Sequence, residues 1–286
     1  MKAIHILSTL PSIDGFHPLF FEIAAMSLSA ILWKKYNGEI CLYTDDCFYK
    51  FINDNDLVTL WDSIDHSLFR SLPTTIDWSI FWAGAKHFAL RNEKAPIVML
   101  DADLFIWEDI SELFPVHQLI TLHQEDLVDC YLPKSELPVA EGYTYPDRID
   151  WSVRPCNTAF AYFAEDEFKD LYIQEAIRFM KWNTSKAKDQ NARMVFAEQR
   201  LLAMLAHREG VVIDTIVNDP FSTYNKIFTH LWGAKILAKR DPKQRMRLED
   251  AILKKIKALS LRTYNQLSDL RHYLPDHRSR NHGAQP

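Results

Sequence analysis

A chain of 286 residues with 48% hydrophobic residues has material for a sizeable core, and 13% aromatic residues with only seven glycines excludes disordered, collagenous and repetitive architectures. The net charge of −5 conceals an asymmetry: residues 236–286 carry 12 Lys/Arg against 5 Asp/Glu, a net +7, so the first 235 residues carry −12. Cys41, Cys47, Cys130 and Cys156 show no Cys-x-x-Cys spacing, which excludes a zinc ribbon or a disulfide framework and suits a reducing cytoplasm. The opening residues lack the apolar core and cleavage signal of a secretory leader, and no run is long enough to span a bilayer. An acidic main body argues against a nucleic-acid partner.

In chain order, residues 3–9 read as a strand and 18–35 as a helix whose apolar face includes Phe20, Ile23, Ala24, Leu28 and Leu32. Residues 39–44 give a second strand ending at Asp45-Asp46, 57–60 a third, and 78–91 a helix. Ile97-Val98-Met99-Leu100 is a continuous apolar run after Pro96, the pattern of a central strand buried on both faces. Strands are expected again at 117–122, 157–163 and 211–217, and helices at 166–182 and 197–208. Residues 125–155, rich in Pro, Asp and Tyr and without period, read as a long loop able to shape an acceptor pocket. From Met246 to Tyr273 apolar residues recur at helical spacing among Lys254, Lys255, Lys257, Arg262 and Arg271. That basic amphipathic helix would either pack on the domain with its charges solvated or lie on anionic lipid. Strands alternating with helices predict an α/β fold: a doubly wound, mostly parallel sheet with flanking helices and a C-terminal helical tail. The expected division is a domain over 1–240 and an extension over 241–286.

The central strand ends in Asp101-Ala102-Asp103. Carboxyl ends of strands border the ligand crevice of an open α/β sheet, and hard divalent cations take carboxylates together with substrate phosphates. The pair would therefore hold Mg²⁺ or Mn²⁺ with a phosphorylated substrate; the alternative is that Asp101 caps the next turn while Asp103 is solvated. Far downstream, His230-Leu231-Trp232-Gly233-Ala234-Lys235 offers an imidazole ligand suited to Mn²⁺, a glycine that lets backbone approach a diphosphate, and a lysine to neutralise it.

With these segments in view the chain resembles the retaining GT-A glycosyltransferases related to glycogenin and to bacterial lipopolysaccharide galactosyl- and glucosyltransferases. The likeness runs over residues 1–240 through five segments. These are the opening strand, the helix bearing Lys86, Asp101-Ala102-Asp103 with the following Trp107 to Phe114, Asn157-Thr158-Ala159-Phe160, and Glu198-Gln199 before His230 to Lys235. The resemblance implies a GT-A catalytic domain over 1–240 that binds a nucleotide diphosphate sugar, UDP-linked by preference, and moves a hexose to a glycan or lipid-linked acceptor with retention. It implies Mn²⁺ or Mg²⁺ on Asp101, Asp103 and His230, donor phosphates on Lys86 and Lys235, Asn157 and Gln199 beside the transferred sugar, and Ser8 and Thr9 at the base. A role in bacterial cell-surface polysaccharide synthesis follows, with the protein in the cytoplasm or peripheral at the inner face of the membrane. The sequence departs from the family at three places: Ile236-Leu237 replace the usual Pro-Trp, Asn157-Thr158-Ala159 replaces Asn-Ser-Gly or Asn-Ala-Gly, and Glu198-Gln199 replaces Asp-Gln.

Three other readings stay open. An inverting transferase would need a carboxylate base, for which Asp150, Asp147 and Glu141 of the long loop are candidates. A phosphatase of the haloacid-dehalogenase class also puts Asp-x-Asp after a strand, but continues with Thr or Val where this chain has Leu104-Phe105. A noncatalytic protein would bind the sugar nucleotide without turning it over.

Overall fold

A computed structural model describes residues 1–9, 18–184, 191–219 and 226–274. The chain runs β1 (Ala3–Leu7), α1 (Phe20–Tyr36), β2 (Ile40–Thr44), α2 (Asp46–Asp54), β3 (Ser63–Asp65), α3 (Ala85–Asn92), β4 (Ile97–Leu100), β5 (Leu104–Ile106), β6 (Leu119–Thr121), β7 (Phe160–Phe163) and α4 (Asp166–Trp182). It continues through α5 (Ala192–Val195), a five-residue π-helical segment Phe196–Arg200, α6 (Leu201–Glu209), β8 (Ile213–Thr215), β9 (Phe228–His230), α7 (Trp232–Arg240), α8 (Pro242–Leu259) and α9 (Leu261–Tyr273). Seven strands form one sheet in the order β3-β2-β1-β4-β7-β6-β8. Pairs β1–β2, β1–β4, β2–β3 and β6–β8 are parallel, whereas β7 runs antiparallel to both β4 and β6.

The strand period of two divides the core into two layers. Val98 and Leu100 face a cluster with α1, α8 and α9, while Ile97 and Met99 face the one that holds α3, α4 and α6. Helices thus cover both faces of a mostly parallel sheet, the doubly wound α/β architecture that the alternation of elements predicts.

Local differences from the sequence pattern have identifiable causes. Residues 57–60 form a 3₁₀ turn rather than a strand, entered through Asp56 at a left-handed φ of 57°, and the neighbouring strand is the short Ser63–Asp65. The helix expected from 78 begins only at Ala85, because 77–84 is taken up by tight turns such as Phe81 N–H to Asp77 C=O. The expected 246–273 helix is two helices: Ser260 is extended, and its Oγ accepts from Thr263 N–H to start α9. Ile252, Leu253, Ile256, Leu267 and Leu270 of this pair are buried in the same cluster as α1. Among the described residues no helix is long and apolar enough to cross a membrane.

Candidate metal and donor site

At the end of β4, Asp101 N–H donates to Ala159 C=O of the entry to β7 at 2.7 Å. The chain then turns through Ala102, with Leu104 N–H returning to Asp101 C=O at 3.0 Å, and β5 leaves the main sheet to pair with β9. The register of that antiparallel ribbon sets Leu104 opposite His230, and Leu231 N–H donates to Asp103 C=O at 3.1 Å. Ligand atoms of Asp101, Asp103 and His230 consequently lie within 4.8 Å of one another. Two carboxylates and an imidazole fit a Mn²⁺ or Mg²⁺ ion with coordination positions left over for phosphate oxygens.

Two lysines neutralise these acids. Lys235, in the first turn of α7, donates to Asp103 Oδ2 at 2.7 Å, and His230 Nε2 lies 3.6 Å from Oδ1. Burial pushes the Asp103 carboxyl up, but His230 and Lys235 prevail and hold it well below the carboxylate range. Lys86, in the first turn of α3, bridges Asp101 Oδ1 at 2.5 Å and Glu198 Oε1 at 2.6 Å with its side chain only 12% exposed. Burial opposes its charge, yet the two carboxylates raise it far above the usual lysine value. Burial also pushes the Glu198 carboxyl up, and Lys86 offsets part of that shift.

Lys86, Asp101, Asp103 and Lys235 line one cavity of about 670 Å³ together with Ser8 and Thr9. The two hydroxyl residues converge on Asp45 Oδ2, at 3.1 Å from Ser8 Oγ and 3.0 Å from Thr9 Oγ1, while Asp45 Oδ1 accepts from Phe48 N–H to cap α2. Gly233, in the first turn of α7, has open space where a Cβ would stand.

Asn157 and Gln199 do not line that cavity; they meet around Glu125 and Tyr131 instead. Asn157 Nδ2 donates to Glu125 Oε1 at 2.6 Å, and the Tyr131 phenol is bonded to Glu125 Oε2 at 2.6 Å and to Gln199 Oε1. A phenol has one proton, so donation to Glu125 leaves its oxygen to accept from the Gln199 amide turned about its last bond. Glu198, next to Gln199 in the π-helical segment, joins this group to Lys86. Sequence reasoning missed Glu125 and Tyr131, which carry no periodic or motif signal. Of the acids proposed in the loop, Asp150 is turned onto Ser152 and Asp147 and Glu141 are exposed.

Behind the site, four buried groups form a one-way chain. Trp61 Nε1 can only donate, so it fixes His5 Nδ1, 3.2 Å away, as an acceptor. Nε2 then carries the proton and donates to Ser29 Oγ at 3.2 Å, and Ser29 donates to Leu104 C=O at 2.6 Å. Leu104 and His230 form the non-hydrogen-bonded pair of the ribbon, so that carbonyl faces away from β9 and needs this partner.

A family model described as "Family of unknown function (DUF6734)" matches residues 8–239. No curated protein matches the sequence. Among solved structures, the chain is similar to the glycosyltransferase GlyE of Streptococcus pneumoniae TIGR4, at 13% identity and a TM-score of 0.39 over 68% of this chain and 42% of that one. It is also similar to mouse xyloside xylosyltransferase 1, at 10% identity and a TM-score of 0.38 over 76% and 85% of the two chains. The galactosyltransferase LgtC gives 11% identity and a TM-score of 0.40 over 80% and 86%. The alignment with GlyE spans about two fifths of that protein's length.

Proposed function

This chain belongs to DUF6734, a family of unknown function, so its activity has to be read from its site, and we propose that it is a metal-dependent glycosyltransferase using a nucleotide diphosphate sugar. The observation that carries the reading is the convergence of Asp101, Asp103 and His230 from two distant strands, with Lys86 and Lys235, at the edge of one cavity. That residue set suits a diphosphate leaving group better than a phosphatase nucleophile, because the Asp101 carboxylate is already engaged by Lys86.

When bound, a Mn²⁺ or Mg²⁺ ion would supply Lewis-acid stabilisation of the diphosphate as the anomeric bond breaks. Asp101, Asp103 and His230 would hold it. Lys235, 38% exposed at its side chain, would exchange Asp103 for a donor phosphate, and Gly233 would let the α7 backbone approach the same phosphates. Lys86 stays charged between two carboxylates, holding Asp101 in its orientation while adding positive potential to the cavity wall. Asn157 and Gln199, fixed through Glu125 and Tyr131, would accept the sugar, and Ser8 and Thr9 would meet the base at the far end. Uridine is the preferred base, a hexose the preferred sugar, and a glycan or lipid-linked acceptor the preferred partner. Retention is the preferred outcome, with a phosphate oxygen taking the acceptor's proton. An inverting variant would draw on Glu125, the carboxylate beside Asn157 and Gln199, as base.

Incubation with a panel of nucleotide sugars and Mn²⁺ tests the reading. We expect binding and slow hydrolysis of one donor, abolished by a chelator. A panel in which nothing binds or turns over would overturn it, and the anomeric configuration of a product would separate retention from inversion.

A further inference from the structure

Helix α7 is sparsely docked. Of its nine residues only Ala238 is buried, and among the described residues its side-chain ties are polar: Lys235 to Asp103, Lys239 to Glu22 Oε1 at 2.8 Å, and Arg245 Nε to Ala238 C=O at 3.0 Å. A helix of this length is marginal in water and ordinarily owes its stability to a packed apolar face. Here the apolar side chains point outward: Trp232, Ile236 and Leu237 are 63%, 42% and 59% exposed. Ile236 and Leu237 stand where the resembled transferases carry Pro-Trp, so the helix runs on and presents the pair to solvent.

Charge narrows the partner. From Lys226 to Arg247 seven Lys/Arg stand against one acid, Asp241, and α7 itself has none. Exposed Arg240 and Lys243 flank the apolar group. A tryptophan and two aliphatic residues exposed on a helix whose own charges are all positive are the composition of a helix lying in the headgroup layer of an anionic bilayer. The 246–273 region, read from sequence as the lipid-binding element, spends Ile252, Leu253, Ile256, Leu267 and Leu270 on the core and exposes Met246, Leu261 and Tyr273 singly, whereas α7 gathers three exposed apolar residues within six positions.

We propose that α7 is an interfacial helix that seats Trp232, Ile236 and Leu237 in an anionic membrane surface, bringing the mouth of the donor cavity to the bilayer and favouring an acceptor carried on a lipid. Lys235 and Lys239 of the same helix line that cavity, as does Trp82, itself 51% exposed. The acceptor clause rests on the sugar-transfer reading; the membrane clause does not.

Co-sedimentation of the full chain with vesicles of phosphatidylcholine alone, and of phosphatidylcholine mixed with phosphatidylglycerol, tests this. Binding to the anionic vesicles only, weakened by added salt, is expected. Ile236→Glu combined with Leu237→Glu should lower that affinity about tenfold or more, with turnover of soluble donor unchanged. Arg240→Glu with Lys243→Glu should remove the preference for anionic lipid. Equal binding to both vesicle types, or undiminished binding by the Ile236/Leu237 variant, overturns the proposal. So does a wild-type dimer that the same variant converts to a monomer without either form binding vesicles, which would make the face a contact between copies. Vesicle binding by a chain that turns over no donor would sink the sugar-transfer reading and leave the membrane helix standing.

Discussion

Asp103 is the residue on which most of the site depends, since it meets His230, Lys235 and, through its own carbonyl, Leu231 N–H. Asp103→Ala should abolish divalent-dependent donor hydrolysis and weaken Mn²⁺ binding measured by electron paramagnetic resonance; turnover at the wild-type rate would remove the metal role. Ser29 sits one shell behind it. Ser29→Ala strips the buried Leu104 carbonyl and the His5 Nε2–H of their partner, at about 1–3 kcal/mol for each group left unpaired. Denaturant unfolding should show that loss, whereas Ser29→Cys, which keeps a weak donor and acceptor, should recover part of it.

Among elements, α3 and the π-helical segment decide where the site's cations and carboxylates stand. Gly84 precedes α3 because a Cβ there would lie 2.7 Å from Met180 Sδ and 2.9 Å from Phe81 C=O. Gly84→Ala should therefore cost about 1–3 kcal/mol and shift Lys86 off Asp101, read as a lower unfolding midpoint together with weaker nucleotide binding. The sequence pattern reveals β4 and its two aspartates because a continuous apolar run and an abrupt charge are visible in any window. It locates α4 nearly to the residue, since seventeen periodic positions carry a strong signal. It could not reveal that β5 leaves the main sheet for β9, because three-residue strands have too few positions to show a period. Nor could it show the π-helical turn at Glu198-Gln199, where one wider turn re-aims two side chains that an even helix would place otherwise. Glu125 and Tyr131 lie in aperiodic loop, and only the folded chain shows that they brace Asn157 and Gln199.

At the scale of the whole molecule, the C-terminal helices and two buried histidines set the stability. Ending the chain after Arg240 would expose the core surface that α8 and α9 cover, and the five buried aliphatic residues there represent about 8–15 kcal/mol of burial, comparable to a whole domain's stability. Such a truncation should fail to unfold cooperatively in a calorimeter, while a variant altered only at exposed Lys254 and Arg262 should melt normally. Burial pushes the His5 imidazole down to about 3 and the His87 imidazole to about 4, from an ordinary 6.5. Below about pH 6.5 the unfolded chain takes up protons that the native chain refuses. Stability is thus fully present above that value and falls toward pH 4 by up to about 1.4 kcal/mol per pH unit for each histidine. Urea unfolding from about pH 7 down to about pH 4.5 checks the slope, and a flat profile would contradict it.

The β5–β9 ribbon has a further consequence for biosynthesis. Asp103 and Lys235 are 132 residues apart, so Asp101, Asp103, His230 and Lys235 cannot come together on a nascent chain until most of it has been made. Contacts of such long range are also slow to close. On the metal-dependent reading proposed above, divalent-ion capture would accordingly coincide with completion of the chain, and a ribosome-bound fragment ending before β9 would hold the two aspartates without the His230 imidazole.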